Sequence, residues 1–344
     1  MDNRTPLAID MMGGDFAPQA AVDGVKEALE RFGDAYKLLL VGPQAQLEQL
    51  MLSNGIDLAD PRLEMVNATE VIGMGEHPVQ AIRNKRDSSI NVGMKLVKEG
   101  RAQGFFSAGN TGAVVAGAYL KWRMLPGLAR PGLAAALPGE KGLWLLMDAG
   151  ATVDCSAQTL TQFAVMGDLY ARSALKCAFP KIGLLSNGTE EGKGNRQTQE
   201  THKLLGEIKG INYIGNIEGH DLFTDRVDVV VCDGFVGNVV LKTTEQLAKT
   251  LTKLIKEQVM SKTAWKLGGL MCKGAFAEVK RRMDATEVGG VPLLGVNGNC
   301  VIGHGNSNGH AIANGIRAVG EMAKNAINDD IVSRIHDAGL DTLA

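Results

Sequence analysis

The segment that most directly suggests chemistry is Gly192-Lys193-Gly194-Asn195, at the end of a polar run that begins at Ser186. Glycines on both sides of Lys193 let the backbone approach a ligand closely, so that amide N–H groups and an ammonium converge on one anion. A second segment, Ser107-Ala108-Gly109-Asn110-Thr111-Gly112, offers hydroxyl, amide and backbone donors at the start of a helical pattern. A helix N-terminus favours a bound anion there. Ser107, Asn110 and Lys193 are therefore the candidate catalytic residues, with Gly109, Thr111, Gly192, Gly194 and Asn195 as candidate binding residues. Each has a structural alternative. Ser107 and Asn195 suit helix caps equally well, and Asp10 and Asp233 suit turns at strand ends. His77, before Pro78, reads first as a loop residue and second as a base. Cys232, ending an apolar run, reads as a small buried hydrophobe.

These residues sit where predicted strands end. Strand-like runs cover 7–10, 37–41, 63–66, 104–107, 142–147, 181–185 and 227–232, and helical patterns cover 19–31, 89–99, 111–122, 157–174, 196–208 and 308–326. Such alternation implies βα units around a mostly parallel sheet. Glycine-rich loops follow the first strand (Asp10-Met11-Met12-Gly13-Gly14-Asp15) and recur at 107–112, 148–151, 186–195 and 233–238, the last ending in Asn238. Ligands of open α/β sheets bind beyond the carboxyl ends of the strands. The expectation is that these loops gather at one edge of one sheet. With no internal repeat and no long polar linker, residues 1–344 read as a single unit carrying one inserted arm.

That arm, at about 242–282, contains ten Lys or Arg side chains against three Glu, a net +7 in a chain of overall charge −2. Leu247, Leu251, Leu254 and Ile255 recur in it at helical spacing. Beyond them Trp265, Leu267, Leu270, Met271 and Phe276 stand among Lys262, Lys266 and Lys273. The first apolar set suits a dimer-interface helix. The basic apolar tip suits an anionic membrane surface or an acidic carrier protein.

Composition narrows the classes further. The 344 residues include 43 glycines but only 5% aromatics, and the global charge is near zero. Neither favours nucleic-acid binding. Five cysteines without a CxxC pair suggest no disulfide framework and no zinc finger. The first residues lead into a strand with no signal-peptide pattern, and no apolar run reaches the ~18 residues of a membrane span. A reducing cytoplasm is the expected compartment. Gly305-Asn306-Ser307-Asn308-Gly309 fits GxSxG, but too little chain follows for the remaining strands and partners of a hydrolase. The segment 188–194 lacks the spacing and the Ser/Thr of a P-loop, there is no GxGxxG, and the six histidines show no metal-site spacing. No metal and no cofactor are expected.

Taken together and in order, these loops closely resemble the PlsX family of phosphate acyltransferases. The resemblance is carried by Ala8–Asp15, Met74-Gly75-Glu76-His77-Pro78, Ser107–Ala113, Asp154-Cys155, Glu190–Asn195, Val229–Val240 and Leu293–Gly298. It departs near His304, where this chain reads Gly303-His304-Gly305-Asn306-Ser307 and the family usually carries a Ser-His-Gly-Ser-type run. The resemblance implies a three-layer αβα fold akin to isopropylmalate dehydrogenases and phosphotransacetylases, usually as a homodimer. It implies transfer of a fatty acyl group from acyl carrier protein to inorganic phosphate, feeding a membrane glycerol-3-phosphate acyltransferase. It further implies substrate contacts from Asp10, Gly13, Gly14, His77, Asp233, Asn238 and His304. A thioester is already activated and phosphate is itself a nucleophile, so such an enzyme needs a phosphate cradle, oxyanion donors and an apolar trough. A coenzyme A-dependent phosphotransacylase, a decarboxylating dehydrogenase of similar fold and a catalytically silent membrane adaptor stand as alternatives. The anion-cradle loop argues against the adaptor.

Overall fold

The computed structural model describes residues 3–140, 142–282 and 288–341. In the N-terminal part the elements are β1 (Thr5–Asp10), α1 (Gln19–Phe32), β2 (Tyr36–Gly42), α2 (Gln44–Ser53), β3 (Leu63–Asn67), α3 (Pro78–Asn84), α4 (Ser89–Lys98), β4 (Gly104–Ser107) and α5 (Thr111–Trp122). The middle holds β5 (Gly132–Pro138), β6 (Leu143–Met147), α6 (Ala157–Ala174), β7 (Lys181–Leu185), α7 (Arg196–Glu207), β8 (Asn212–Ile217) and β9 (Val229–Val231). The rest consists of α8 (Gly234–Ser261), α9 (Thr263–Met271), α10 (Lys273–Arg282), β10 (Val291–Leu294), β11 (Cys300–Ile302), α11 (Gly309–Lys324) and α12 (Ile327–Asp337). The predicted elements at 104–107, 111–122, 157–174 and 181–185 coincide with β4, α5, α6 and β7 end to end.

All eleven strands form one sheet in the order β3-β2-β1-β4-β11-β10-β5-β6-β9-β7-β8. The pairs among β3, β2, β1, β4 and β11 are parallel, as are those among β6, β9, β7 and β8. Between the two groups, β10 runs antiparallel to both β11 and β5, and β5 antiparallel to β6. Three antiparallel steps leave the two parallel groups running in opposite directions. The sheet is mostly parallel, as expected, but its loops do not gather at one edge. Loops after β1, β4 and β11 leave one edge, and loops after β6, β7 and β9 leave the other. Local periodicity reports whether a run is a strand and is blind to its direction. The reversal depends on β5, whose Gly-Leu-Ala-Ala-Ala-Leu-Pro run has helix-like composition, and on β10 and β11, which are four and three residues long.

Both faces of the sheet are covered, which explains why its strands read as continuous apolar runs. Leu7, Ile9, Leu38, Leu40, Leu145, Met147, Val229 and Val231 face a core completed by α1, α6, α11 and α12. Their neighbours Ala8, Leu39, Val41, Trp144, Leu146 and Val230 face the opposite core, closed by α4 and α5 through Met94, Val114, Ala118 and Trp122. The two-residue period of a strand produces this division.

The arm expected at about 242–282 is helical. The 28 residues of α8 extend roughly 42 Å, and only Gly234 and Gly237 of them are buried. Gly269 of α9 turns back against Val259 of α8, and Lys262 Nζ lies 4.4 Å from the centre of the Trp265 ring.

Helices α1 and α11 touch closely at Gly24, where a Cβ would stand 2.6 Å from Ile312 Cβ and 2.9 Å from the Gly309 carbonyl. Gly24→Ala is therefore expected to cost about 1–3 kcal/mol as an overpacked helix contact. Urea denaturation measures it, and an unchanged midpoint would contradict the packing described.

Candidate active site

At the edge formed by β1 and β4, Asp10 and Ser107 make a closed knot. Ser107 Oγ donates to Asp10 Oδ2 at 2.6 Å and accepts from Gly109 N at 3.1 Å, while Met12 N donates to Asp10 Oδ1 at 3.0 Å. Both side chains are buried. Burial pushes the Asp10 carboxyl up, against the opposing pull of hydrogen bonds from Ser107, Ser89, Met12 and Gly13. Gly13 has no room for a side chain, since a Cβ would lie 2.5 Å from Asp10 Oδ2 and 2.6 Å from Gly109 N.

Ser107 does not cap α5, because its hydroxyl is committed to Asp10. The cap is Asn110, whose Oδ1 accepts from Ala113 N at 3.0 Å. Its Nδ2 donates to the carbonyls of Gly73, Met74 and Glu76, tying that loop to the start of α5. His77, at the end of the loop, is exposed and precedes Pro78, the first residue of α3. Thr111 is exposed at the start of α5. Gly14 approaches the Gly305 carbonyl, which also accepts from Asp15 N at 2.7 Å.

The β6–β9–β7 edge carries a different construction. Asp148 follows β6 and is fully buried, accepting from the N–H groups of Leu133, Gly150 and Ala151 on Oδ1 and of Thr152 on Oδ2, at 2.7–3.0 Å. Burial raises its pKa, with those four bonds opposing. Gly237 of α8 packs so closely that a Cβ would fall 1.8 Å from the Asp148 carbonyl oxygen. Asp233 caps α8 through Val236 N at 2.8 Å, and Asn195 caps α7 through Thr198 N at 2.9 Å. Turn or cap and substrate contact remain compatible for both, because each leaves one side-chain atom outside these bonds.

Between the two caps lies a cavity of about 340 Å³ lined by Ser186, Asn187, Gly194, Asn195, Asp233 and Val236, with Leu160, Leu184, Leu185, Gln197, Thr198 and Cys232. The N-termini of α7 and α8 converge on it, and the Ser186 hydroxyl is buried in its wall without a hydrogen-bond partner among the described residues. The loop above is held by Gly194 N to Asn187 Oδ1 at 2.8 Å, by Gln199 Nε2 to the Gly192 carbonyl at 2.8 Å, and by Asn216 Nδ2 to the Glu190 carbonyl at 3.1 Å. Gly194 has φ +89°, a conformation that favours glycine. Lys193 is exposed beside this mouth, its stem lying over Gly188, and its ammonium has no ion-pair partner among the described residues. Asn238 stands exposed one turn into α8, against Gly150.

The candidate residues thus fall into two groups. Asp10, Gly13, Gly14, His77, Ser107, Gly109, Asn110, Thr111 and His304 belong to one edge, and Gly192, Lys193, Gly194, Asn195, Asp233 and Asn238 to the other. Four strand spacings, about 19 Å at ~4.8 Å each, separate β4 from β6. Helix α8 joins the groups, since its Glu245 Oε1 lies 2.8 Å from His304 Nε2. The arm residues Lys262, Trp265, Lys266, Leu270, Met271, Lys273 and Phe276 belong to neither group and are all exposed, Met271 reaching 88%. Sequence reasoning did not single out Asp148, Ser186 or Glu245. Asp148 opens one of the glycine loops, which was the available signal. Ser186 opens another, at 186–195, whereas nothing local marks Glu245. A larger cavity, of about 660 Å³ between α6, α11 and the β5–β6 hairpin, contains none of the candidate residues. Among the described residues no cluster of potential metal ligands occurs.

The profile of the family described as "Fatty acid synthesis protein" matches residues 5–330. A phosphate acyltransferase of Acidobacterium capsulatum is 46% identical over 327 residues, covering 95% of this chain and 96% of that protein. The phosphate acyltransferase of Pelotomaculum thermopropionicum is 47% identical over 329 residues, covering 96% and 94%. Among solved structures, a phosphotransacetylase from Streptococcus pyogenes aligns with a TM-score of 0.66 at 17% identity, covering 95% of this chain and 96% of that one. The EutD phosphotransacetylase from Staphylococcus aureus aligns with a TM-score of 0.61 at 15% identity, covering 94% and 95%. At such identities these two structures establish a shared fold. The sequence matches, spanning nearly the whole length at above 40% identity, place this chain in the fatty acid synthesis protein family, the family of the phosphate acyltransferases.

Proposed function

We propose that this chain transfers a fatty acyl group from an acyl carrier protein thioester to inorganic phosphate, with the cavity between α7 and α8 as the phosphate site. The observation that carries this reading is the Gly192-Lys193-Gly194 loop at the mouth of a cavity on which two helix N-termini converge. Backbone N–H groups, helix dipoles and an unpaired ammonium suit a tetrahedral anion. A phosphate oxygen attacks the thioester carbonyl, the C–O bond forms, the C–S bond breaks, and the thiolate leaves and takes up a proton. Acyl phosphate and free carrier-protein thiol result. No covalent enzyme intermediate is needed. Lys193 holds phosphate against the carbonyl, and Asn238, exposed near the start of α8, donates to the developing oxyanion. Asp10, Ser107 and Asn110 act by shaping the opposite edge, since their polar atoms are engaged within the protein.

Helix α8 and the arm extend the reading. Leu247, Leu251, Leu254 and Ile255, each at least 50% exposed, form a stripe suited to a second copy of the chain. Trp265, Leu270, Met271 and Phe276 with Lys262, Lys266 and Lys273 suit reversible docking on an anionic membrane, where a membrane glycerol-3-phosphate acyltransferase would consume a labile amphiphilic product. No helix among the described residues is long and apolar enough to cross a membrane. Each basic side chain near an anionic leaflet contributes about 1 kcal/mol, and apolar burial adds ~25 cal/mol per Å².

Pure protein with acyl-acyl carrier protein is expected to release thiol only when phosphate is added, and hydroxylamine should trap the acyl phosphate, without metal or nicotinamide. Lys193→Ala should lower turnover by about 10²–10³, as for loss of one preorganised electrostatic donor, and should remain folded. An absolute need for coenzyme A, or abolition by chelator, would overturn the reading. Near-normal turnover in folded Lys193→Ala would remove that residue from it.

Docking is measured by co-sedimentation with anionic liposomes at low salt. Wild type should sediment, and Leu270→Glu combined with Met271→Glu should not. If both proteins stay in the supernatant, the arm does not dock on lipid. If the double variant becomes monomeric, the tip belongs to an interface between copies.

A further inference from the structure

The contact between Glu245 and His304 joins elements that chain connectivity keeps apart. Glu245 lies eleven residues into α8, about 16 Å along a helix that starts at the end of β9. His304 follows β11, in the oppositely running strand group. His304 Nε2 stands 2.8 Å from Glu245 Oε1, and Lys242 Nζ donates to Oε2 at 3.0 Å. The Glu245 side chain is only 18% exposed. Its partial burial favours the neutral acid, but the hydrogen bonds from His304 and Lys242 outweigh this and hold the carboxyl at about 2. It is therefore ionised at neutral pH, and both of its oxygens are engaged.

The contact continues inward on each side. The next residue after His304, Gly305, accepts from Asp15 N at 2.7 Å and lies against Met74, whose Cε would be 2.7 Å from a Cβ at Gly305. The carbonyl of Met74 is held by Asn110, beside the Asp10–Ser107 knot. In the other direction α8 runs unbroken back to Gly237, seated on the Asp148 carbonyl, and to Asp233 in the wall of the cavity beside Lys193. One helix thus carries the cavity wall at its root and, three turns later, a hydrogen-bonded contact to the opposite edge.

We infer that Glu245 is a positioning residue, which through His304 sets the separation between the β1–β4–β11 loops and the cavity beside Lys193, and so aligns acyl donor with phosphate. This rests on the phosphate acyltransfer reading above. Glu245 touches neither substrate. It acts by holding one wall of the cleft at a fixed distance from the other, and a misplacement of about 1 Å is enough to cost a large factor in rate.

The test compares wild type, Glu245→Ala, His304→Ala, the double variant and Glu245→Gln. In steady-state assays with acyl-acyl carrier protein and phosphate, each alanine variant should lose about tenfold to a hundredfold in kcat while the KM for phosphate stays within about twofold. The double variant should be no worse than either single one. Glu245→Gln, whose amide oxygen still accepts from His304 while the half-exposed Lys242 ammonium can turn to solvent, should recover most of the loss. A kcat unchanged in both alanine variants, additive losses, or a glutamine variant as impaired as alanine would overturn the proposal. A role in stability alone would lower the unfolding midpoint without moving kcat. Hydrogen–deuterium exchange reads the contact independently of the reaction. Glu245→Ala should speed exchange in residues 303–307 and 11–16, and Glu245→Gln should not. Unchanged exchange in those loops would also overturn it, whereas absence of phosphate-dependent thiol release in wild type would instead remove the acyltransfer reading.

Discussion

The reversal of strand direction at the centre of the sheet is the constraint on which the rest of this molecule depends. Antiparallel pairing of β10 with β11 and β5, and of β5 with β6, sets two parallel groups of strands against each other in one continuous sheet. Strand-end loops are where open α/β sheets present ligand-binding groups. Here those loops leave opposite edges, so a site that uses both groups must be assembled across the sheet by another element. Helix α8 does this. It starts at one set of loops, and Glu245 meets His304 of the other.

Each edge is organised around a buried carboxyl group, and the two are used differently. Asp10 ties the loop after β1 to β4 through Ser107, in a knot whose polar atoms satisfy one another. Asp148 gathers four backbone N–H groups and provides the surface on which the first turn of α8 rests. Burying a carboxyl group is costly unless hydrogen bonds compensate, and the density of donors around both residues provides that compensation. Rigid loops follow. Close approach then demands glycine at Gly13 and Gly237, where added side chains would strike Asp10 and the Asp148 carbonyl. Against this background the Lys193 loop stands out, because its exposed ammonium and the nearby buried Ser186 hydroxyl have no partner among the described residues. Groups left unpaired beside a cavity are available to a ligand.

The arm obeys a different balance. From Leu247 to Val279 many large apolar side chains are about half exposed or more, alongside a strong excess of basic ones. Contiguous apolar surface of this kind marks a place where something else is bound. Its root in α8 is the same helix that frames the cavity beside Lys193, so the surface and that cavity share one element.

Much of this was legible in the residues themselves. The two-residue and helical periods located β4, β7, α5 and α6 to the residue, because burial on a fixed face imposes those periods on the sequence. The glycine loops, the Gly-Lys-Gly segment and the helical basic arm were likewise evident, since backbone freedom and charge are properties of residue type. The sequence order of motifs also identified the family. Direction, partnership and distance were not legible. The alanine-rich β5 and the very short β10 and β11 give no periodic signal, yet they reverse the sheet and divide the candidate residues between two edges. Ser107 reads equally as a helix cap and as a catalytic donor, and the fold makes it the partner of Asp10, a residue 97 positions away. Glu245 looks like one more charge on an exposed helix until the fold brings His304 to it across 59 positions. Local sequence determines what each segment can become, because propensity and amphipathicity act over a few residues. Only the tertiary structure decides which segments meet, because hydrogen bonds and packing depend on distances that chain separation does not encode.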